Sequence, residues 1–253
     1  MKIIKFYNTY HLGDTLFFIH FLNKLSLLYK DREFYFYCDK KYHDELNLWI
    51  NNKDKIILED LDKRSKDSID CWVNKYKDFD NRNKFNLFYD KIYLSFYKKL
   101  CKELKIKNPI ENSKKFLFDE LQILTNNIKT TEKFDYLIIN SKPGSHQWNY
   151  KEEDFNHLFE KIIDKNSSAI TTSKNNYNFP CTLDYKMSLL DIATSSLLCK
   201  NIIGIHTAPH VPCINKWAIN NSKYVFFHNE GIKYSYKNCQ NNIDNSSKIK
   251  YFK

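Results

Sequence analysis

Apolar residues in this chain fall into short runs that alternate with stretches of helical spacing. KIIKFY (residues 2–7) is a compact apolar run and predicts a first strand. From Asp14 to about Lys30 the period changes. Leu16, Phe17, Ile19, Leu22, Leu25 and Leu28 recur at three- and four-residue intervals and predict a helix with one apolar side. EFYFYC (33–38) predicts a second strand, KYHDELNLWI (41–50) a helix and KIILED (55–60) a third strand. Residues 62–132 are lysine-rich and mixed, apart from FYDKIYLSFYKKLCKELKI (88–106), which has a long helical period. No internal repeat is present.

The alternation resumes near residue 133. FDYLIIN (134–140) is a buried-strand pattern, and SKPGSHQWNYKEE follows as a loop. In DFNHLFEKIIDK, Phe155, Leu158, Phe159, Ile162 and Ile163 share one helix face. SAITTS (168–173) predicts a strand. MSLLDIATSSLLCK (187–200) predicts a helix opened by a capping box between Ser188 and Asp191, and NIIGIH (201–206) another buried strand. Strand–helix–strand order implies parallel pairing through right-handed crossovers. The expected architecture is therefore two α/β halves, residues 1–130 and 131–253.

Composition narrows the class. The chain has 253 residues, enough for two cored domains, and its 18 Tyr and 19 Phe mark a globular protein. Disorder is expected only in the tail. No apolar run reaches the length of a membrane span, and MKIIKFYNTY lacks the apolar core of a signal peptide, so a cytoplasmic location is expected. Seven cysteines, odd in number and never in a C-x-x-C pair, fit reduced thiols better than disulfides or a zinc site. The net charge of +10 is spread along the whole chain, which reads as a solvated basic surface and not a nucleic-acid patch.

In open α/β sheets ligands bind beyond the carboxyl ends of the strands, so the loops that follow strands carry the candidate chemistry. Three stand out. In HLGD, Asp14 is placed either to cap the helix or to act as a general base. SKPGSHQW offers backbone N–H groups and a hydroxyl to an anion, with Lys142 and His146 alongside. In HTAPHVP, His206 and His210 are four residues apart, but Pro209 and Pro212 oppose a helix that would set both on one metal. The backbone N–H groups around Thr207 and Ala208 could instead hold a diphosphate.

Taken in order, GDTL after the first strand, PGSHQW with the FNHL helix, and SLLDIA followed by GIHTAPH resemble the ADP-heptose:lipopolysaccharide heptosyltransferase-like glycosyltransferases, glycosyltransferase family nine. The resemblance spans residues 1–35 and 134–220 and is absent from 60–130. It implies the GT-B architecture, two Rossmann-like domains facing each other across a cleft. The acceptor would lie on residues 1–130 and a nucleotide-sugar donor on 131–253, with neither metal nor other cofactor required. Asp14 matches the family's catalytic base, with His11 and Gly13 on the acceptor side. Ser141, Lys142, Gly144, Ser145, His146, His206, Thr207, Ala208 and His210 match the donor-binding positions. Two matches depart from the family: His206 replaces an acid and His146 a lysine, which implies a different donor, compensation by a nearby residue such as Lys142, or lost activity. The implied partners are the nucleotide-sugar donor and a glycan or glycoconjugate acceptor, with peripheral membrane contact compatible and no specific nucleic acid expected.

Three other readings remain open from the residues alone. Asp60-Leu61-Asp62 and Asp78-Phe79-Asp80 satisfy the D-x-D pattern of metal-dependent glycosyltransferases. A basic nucleic-acid-binding protein would use the charge and the aromatics. A degenerate sugar-nucleotide-binding relative without activity would explain the two histidine replacements.

Overall fold

In the computed structural model KIIKFY forms β1 (Lys2–Tyr7), which lies inside its sheet, not at its edge. The structure describes residues 2–71, 90–109, 133–142, 167–204, 207–213, 223–227 and 249–252. The chain divides into two compact units, Met1–Phe116 and Leu117–Lys253. The expected boundary near residue 130 falls outside the described residues, as do the helix expected at 154–165 and Asp78 and Asp80.

In the first unit β1 leads through α1 (Leu12–Leu28) to β2 (Arg32–Cys38). A 3-10 turn (Lys40–Tyr42) and α2 (His43–Asn47) then lead to β3 (Ile56–Asp60). β4 (Ile69–Asp70) and α3 (Asp90–Glu103) complete it. The strands run parallel in the order β3-β2-β1-β4. β4 is two residues long and gave no periodic signal in the sequence.

α1 is buried from Thr15 to Asn23 almost without a break, which a single apolar side does not require. It meets the sheet on one side and α3 on another. The Phe18 ring lies 5.1 Å from Phe6 of β1, 5.0 Å from Phe36 of β2 and 5.9 Å from Tyr97 of α3, and Phe21 stacks on Tyr97 at 4.3 Å. Each such aromatic pair adds about 0.5–1.5 kcal/mol beyond its area. Asn23 ties the helix to the segment after α2: its amide donates to the Trp49 carbonyl (2.8 Å) and accepts from the Asn51 N–H (3.0 Å). Leu28, expected on the apolar side, is 39 % exposed because α1 ends there and the chain turns to β2.

The second unit carries β5 (Tyr136–Ile139), β6 (Ala169–Thr171), α4 (Leu189–Ser195), β7 (Asn201–Gly204), β8 (Lys223–Phe227) and β9 (Ile249–Phe252). All pair parallel in the order β6-β5-β7-β8-β9. The Ser188–Asp191 capping box is present in full. α4 is shorter than expected; a 3-10 turn at Ser196–Leu198 closes it before the extended Cys199. The expectation of a disordered tail is corrected at Ile249–Phe252, which pairs with β8 and gains there the backbone hydrogen bonds that a lysine-flanked tetrapeptide lacks alone. Among the described residues the six cysteines are all buried free thiols. Burial pushes the Cys38 and Cys199 thiols up to about 12, so they pack as inert apolar groups.

At the amino ends of β5, β6 and β7, Asp135 acts as a clamp. Its carboxylate accepts from the Ser168 N–H (3.0 Å) and hydroxyl (3.1 Å) and from Lys200 Nζ (2.6 Å). The Lys200 hydrogen bond, with those from Ser168, holds the carboxyl down to about 2. Because the folded value is depressed, the clamp stabilises fully above the ordinary aspartate range, and that contribution fades as pH falls through about 2. Carbon-detected NMR titration of Asp135 is expected to give a midpoint near 2 that rises towards the ordinary aspartate value in Lys200→Met.

Candidate functional site

Each sheet has one place where the strand order reverses. In β3-β2-β1-β4 it lies between β1 and β4; in β6-β5-β7-β8-β9 it lies between β5 and β7. Connections leaving the two flanking strands diverge to opposite faces there and leave a crevice at the carboxyl ends. The loops HLGD, SKPGSHQW and HTAPH follow β1, β5 and β7, the strands that border these two crevices. The sequence motifs therefore fall where an open α/β sheet binds ligands.

In the first unit α1 begins two residues earlier than its periodicity indicated. His11 is the N-cap residue, in extended conformation and without a side-chain cap bond. Its carbonyl accepts from both the Thr15 N–H (3.1 Å) and the Thr15 hydroxyl (3.0 Å), which fixes the first turn. Asp14 is thus the third helical residue, and the reading of it as the N-cap is corrected. A carboxylate in a first turn is stabilised in its charged form by the helix dipole. Gly13 lies inside the helix without a positive φ, so the backbone does not require glycine, which costs about 0.5–1 kcal/mol there against alanine.

Around this turn, Asn8 is buried and its side chain accepts from the Tyr10 N–H (2.8 Å), shaping the loop out of β1. Tyr7, at the end of β1, has its phenol raised by burial and then by the Asp70 carboxylate, which also hydrogen-bonds it; the Arg64 guanidinium covers the ring at 4.1 Å. Tyr97 is fully buried, and burial, then Cys71, then the charge of Asp14 hold its phenol well above the ordinary range. Asp60, one half of a D-x-D pattern, faces His43 Nδ1 (3.8 Å) and Lys40 Nζ (4.0 Å). Among the described residues no three metal-ligating side chains gather.

In the second unit the carboxyl edge is rich in hydroxyls. Thr172 Oγ1 faces the Asn140 N–H (3.1 Å), the Ser141 N–H (3.2 Å) and the Ser141 hydroxyl (2.8 Å), so the chain leaving β5 is held to the chain leaving β6. Asn140 returns the bond, donating to the Ser173 carbonyl (3.2 Å) and accepting from its N–H (2.8 Å). Ser141 is half-buried within this network, and Lys142 beside it is exposed. The sequence showed SAITTS only as a strand; the run of hydroxyl residues Thr171, Thr172 and Ser173 at its end was the available signal, and it is indistinguishable from a buried strand until the neighbouring loop is known.

After β7, the Thr207 carbonyl accepts from the His210 N–H (3.0 Å) and Val211 N–H (3.3 Å), forming a tight turn into a 3-10 helix at Val211–Cys213. Thr207 Oγ1 is buried and has no hydrogen-bond partner among the described residues. An unpaired buried hydroxyl costs about 1–3 kcal/mol. Ala208 is half-buried in the same turn. His210, matched to the donor site, is fully buried. Its ring seats against Gly204, where an added Cβ would stand 3.4 Å from His210 Cδ2 and 3.0 Å from Ile139 Cβ. Gly144, Ser145, His146 and His206 lie outside the described residues.

Known structures share this organisation. E. coli heptosyltransferase WaaC, solved with ADP-2-deoxy-2-fluoro heptose, aligns over 91 % of this chain and 89 % of its own at TM-score 0.55 and 12 % identity. E. coli ADP-heptose lps heptosyltransferase II aligns over 100 % and 90 % at TM-score 0.53 and 11 % identity. The fold is that of the heptosyltransferases. At such identity the likeness lies in the backbone alone, and neither a protein-family model nor a curated protein matches the chain by sequence. Within the heptosyltransferase fold, the hydroxyl-lined edge belongs to this chain's own residues. Among them no helix is long and apolar enough to cross a membrane, as far as the described residues extend.

Thr172→Val is expected to lower stability to urea by about 2 kcal/mol, since it strands the buried Asn140 N–H and the half-buried Ser141 N–H and hydroxyl, whereas Thr172→Ser is expected to cost about 1 kcal/mol, the value of one methyl.

Proposed function

We propose that this protein is a glycosyltransferase that moves a sugar from a nucleotide-diphosphate donor to a hydroxyl of a glycan or related acceptor without a metal. The observation that carries the proposal is the coincidence of the three motif loops with the two strand-order reversals. The heptosyltransferase fold supports it, because neighbours with that fold were solved with ADP and with ADP-2-deoxy-2-fluoro heptose.

The donor belongs to the second unit. There the Thr207 hydroxyl and the N–H groups of Thr207 and Ala208 receive the diphosphate, and Ser141 and Lys142 approach it from the loop after β5. Oriented amides and a lysine are suited to an anion. In the first unit Asp14 is the base. The acceptor oxygen attacks the anomeric carbon, its proton passes to the Asp14 carboxylate, and the bond from that carbon to the diphosphate breaks with the electron pair leaving on the phosphate oxygen. Gly13 opens space for the acceptor beside Asp14. His210 contributes from beneath, by fixing the turn through its contact with Gly204.

Donor binding and chemistry are separable by experiment. A nucleoside diphosphate at 100 times its dissociation constant is expected to add about 2.7 kcal/mol of stability, with or without chelator. Asp14→Asn is expected to retain that shift and to cost no more than about 1 kcal/mol of stability from the lost helix-dipole interaction. Its turnover of the nucleotide sugar, followed first as donor hydrolysis and then as transfer, is expected to fall at least about a hundredfold. Parent-like turnover in this variant would remove Asp14 from the mechanism, and a shift abolished by chelator would overturn the metal-free reading.

A further inference from the structure

β6 ends beside β5 on the side away from β7, and beyond Ser173 the chain leaving it is bridged by the Asn175 side chain. Asn175 donates to the Thr171 hydroxyl (3.0 Å) and the Phe179 carbonyl (3.0 Å), and it accepts from the N–H groups of Tyr177 (2.9 Å) and Phe179 (3.2 Å). Asn178 between the two aromatics sits at φ 57°, a left-handed conformation that asparagine tolerates. Its effect is to place Tyr177 and Phe179 on the same side, with ring centroids 6.3 Å apart and planes inclined by 26°. Both rings remain half-exposed. The loop then returns to the sheet, where Thr171 N–H donates to the Pro180 carbonyl (3.0 Å) and Thr182 N–H to the Thr171 carbonyl (2.8 Å). Two large, half-exposed rings are thus carried on a backbone fixed by hydrogen bonds.

The pair is continuous with the hydroxyl-lined edge. Ser173 Oγ donates to Ser141 Oγ (3.4 Å), and the Ser173 carbonyl accepts from the Thr171 hydroxyl (2.7 Å), to which Asn175 is bonded. Strands lie about 4.8 Å apart, so β6 stands roughly 10 Å from β7 and its Thr207 turn. That separation is the scale of a nucleoside, not of a phosphate group. We propose that Tyr177 and Phe179 form the base-stacking subsite of the donor, which receives the aromatic base of a nucleoside diphosphate whose phosphates lie towards Ser141 and Thr207. The inference rests on the donor site assigned to the second unit under the proposed function. Because Asn175 holds the rings before any ligand arrives, little ordering cost is left to be met on binding.

The test compares two probes, a nucleoside diphosphate (ADP or UDP) and inorganic pyrophosphate, titrated calorimetrically into the full chain. In Tyr177→Ala and Phe179→Ala the affinity for the nucleoside diphosphate is expected to fall about fivefold to a hundredfold, the range that loss of one base–aromatic stack produces. Pyrophosphate affinity is expected to stay at the parent value, and Tyr177→Phe, which keeps the ring, is expected to restore nucleotide affinity. Tyr177→Leu and Phe179→Leu keep most of the volume and serve if either alanine variant proves unstable. Parent-like nucleotide affinity in the leucine or alanine variants overturns the stacking subsite while leaving the donor site itself standing. A parent chain that binds pyrophosphate but gains nothing from the base does the same. A parent chain that binds neither probe defeats the proposed function, and the subsite with it.

Discussion

Both units depend on one constraint: the strand that opens each sheet is laid down in its interior and paired in parallel on both sides. β1 accepts β2 on one flank and β4 on the other, and β5 accepts β6 and β7. Parallel pairing forces each connection to cross over a face of the sheet, and interior placement sends successive crossovers in opposite senses. The carboxyl end of the opening strand is left uncovered as a result. α1 can then be buried so completely because the sheet and α3 both pack on it through Phe18 and Phe21.

The two ends of the second sheet show how polar residues divide the labour. At the amino ends, Asp135 gathers Ser168 and Lys200 into a charged clamp open to solvent, so its value is bounded by water and salt. At the carboxyl ends, Thr172, Asn140, Ser141 and Ser173 bond to one another through neutral groups, with Thr172 and Asn140 buried and the two serines half-buried. A buried neutral network is worth more per bond and costs more to break. It therefore holds the loops after β5 and β6 in a set geometry at the edge where a ligand is placed, while the charged clamp aligns the strands at the far edge.

Legibility in the sequence followed range. β1, β2, β3 and β5 were readable because each is a local apolar run whose neighbours are turn-forming or charged, and the Ser188–Asp191 box because it spans three residues. β4 and β9 were not, since two or four residues gain strand character only from a partner already in place. The start of α1 was misplaced by two residues because His11 caps through its backbone alone, with no side-chain signal in the sequence. The burial of His210 was not legible, because a histidine between prolines gives no hint that Gly204, six residues earlier, leaves a space for its ring.

By itself the sequence determined the alternation of strands and helices, the parallel pairing that alternation demands, and the three loops carrying Asp14, Ser141 and Thr207. These are local properties, set by hydrophobic period and by chain chirality, and they survive without knowledge of neighbours. Only the tertiary structure decided strand order, and with it which loops border a reversal. It alone decided that His11 and not Asp14 is the N-cap of α1, that Thr207 buries a hydroxyl unpaired among the described residues, and that Asn175 bridges the backbone carrying Tyr177 and Phe179. Each of these depends on groups far apart in the chain meeting at one edge, and the free energy of such a meeting is a property of the pair, which no single stretch of sequence carries.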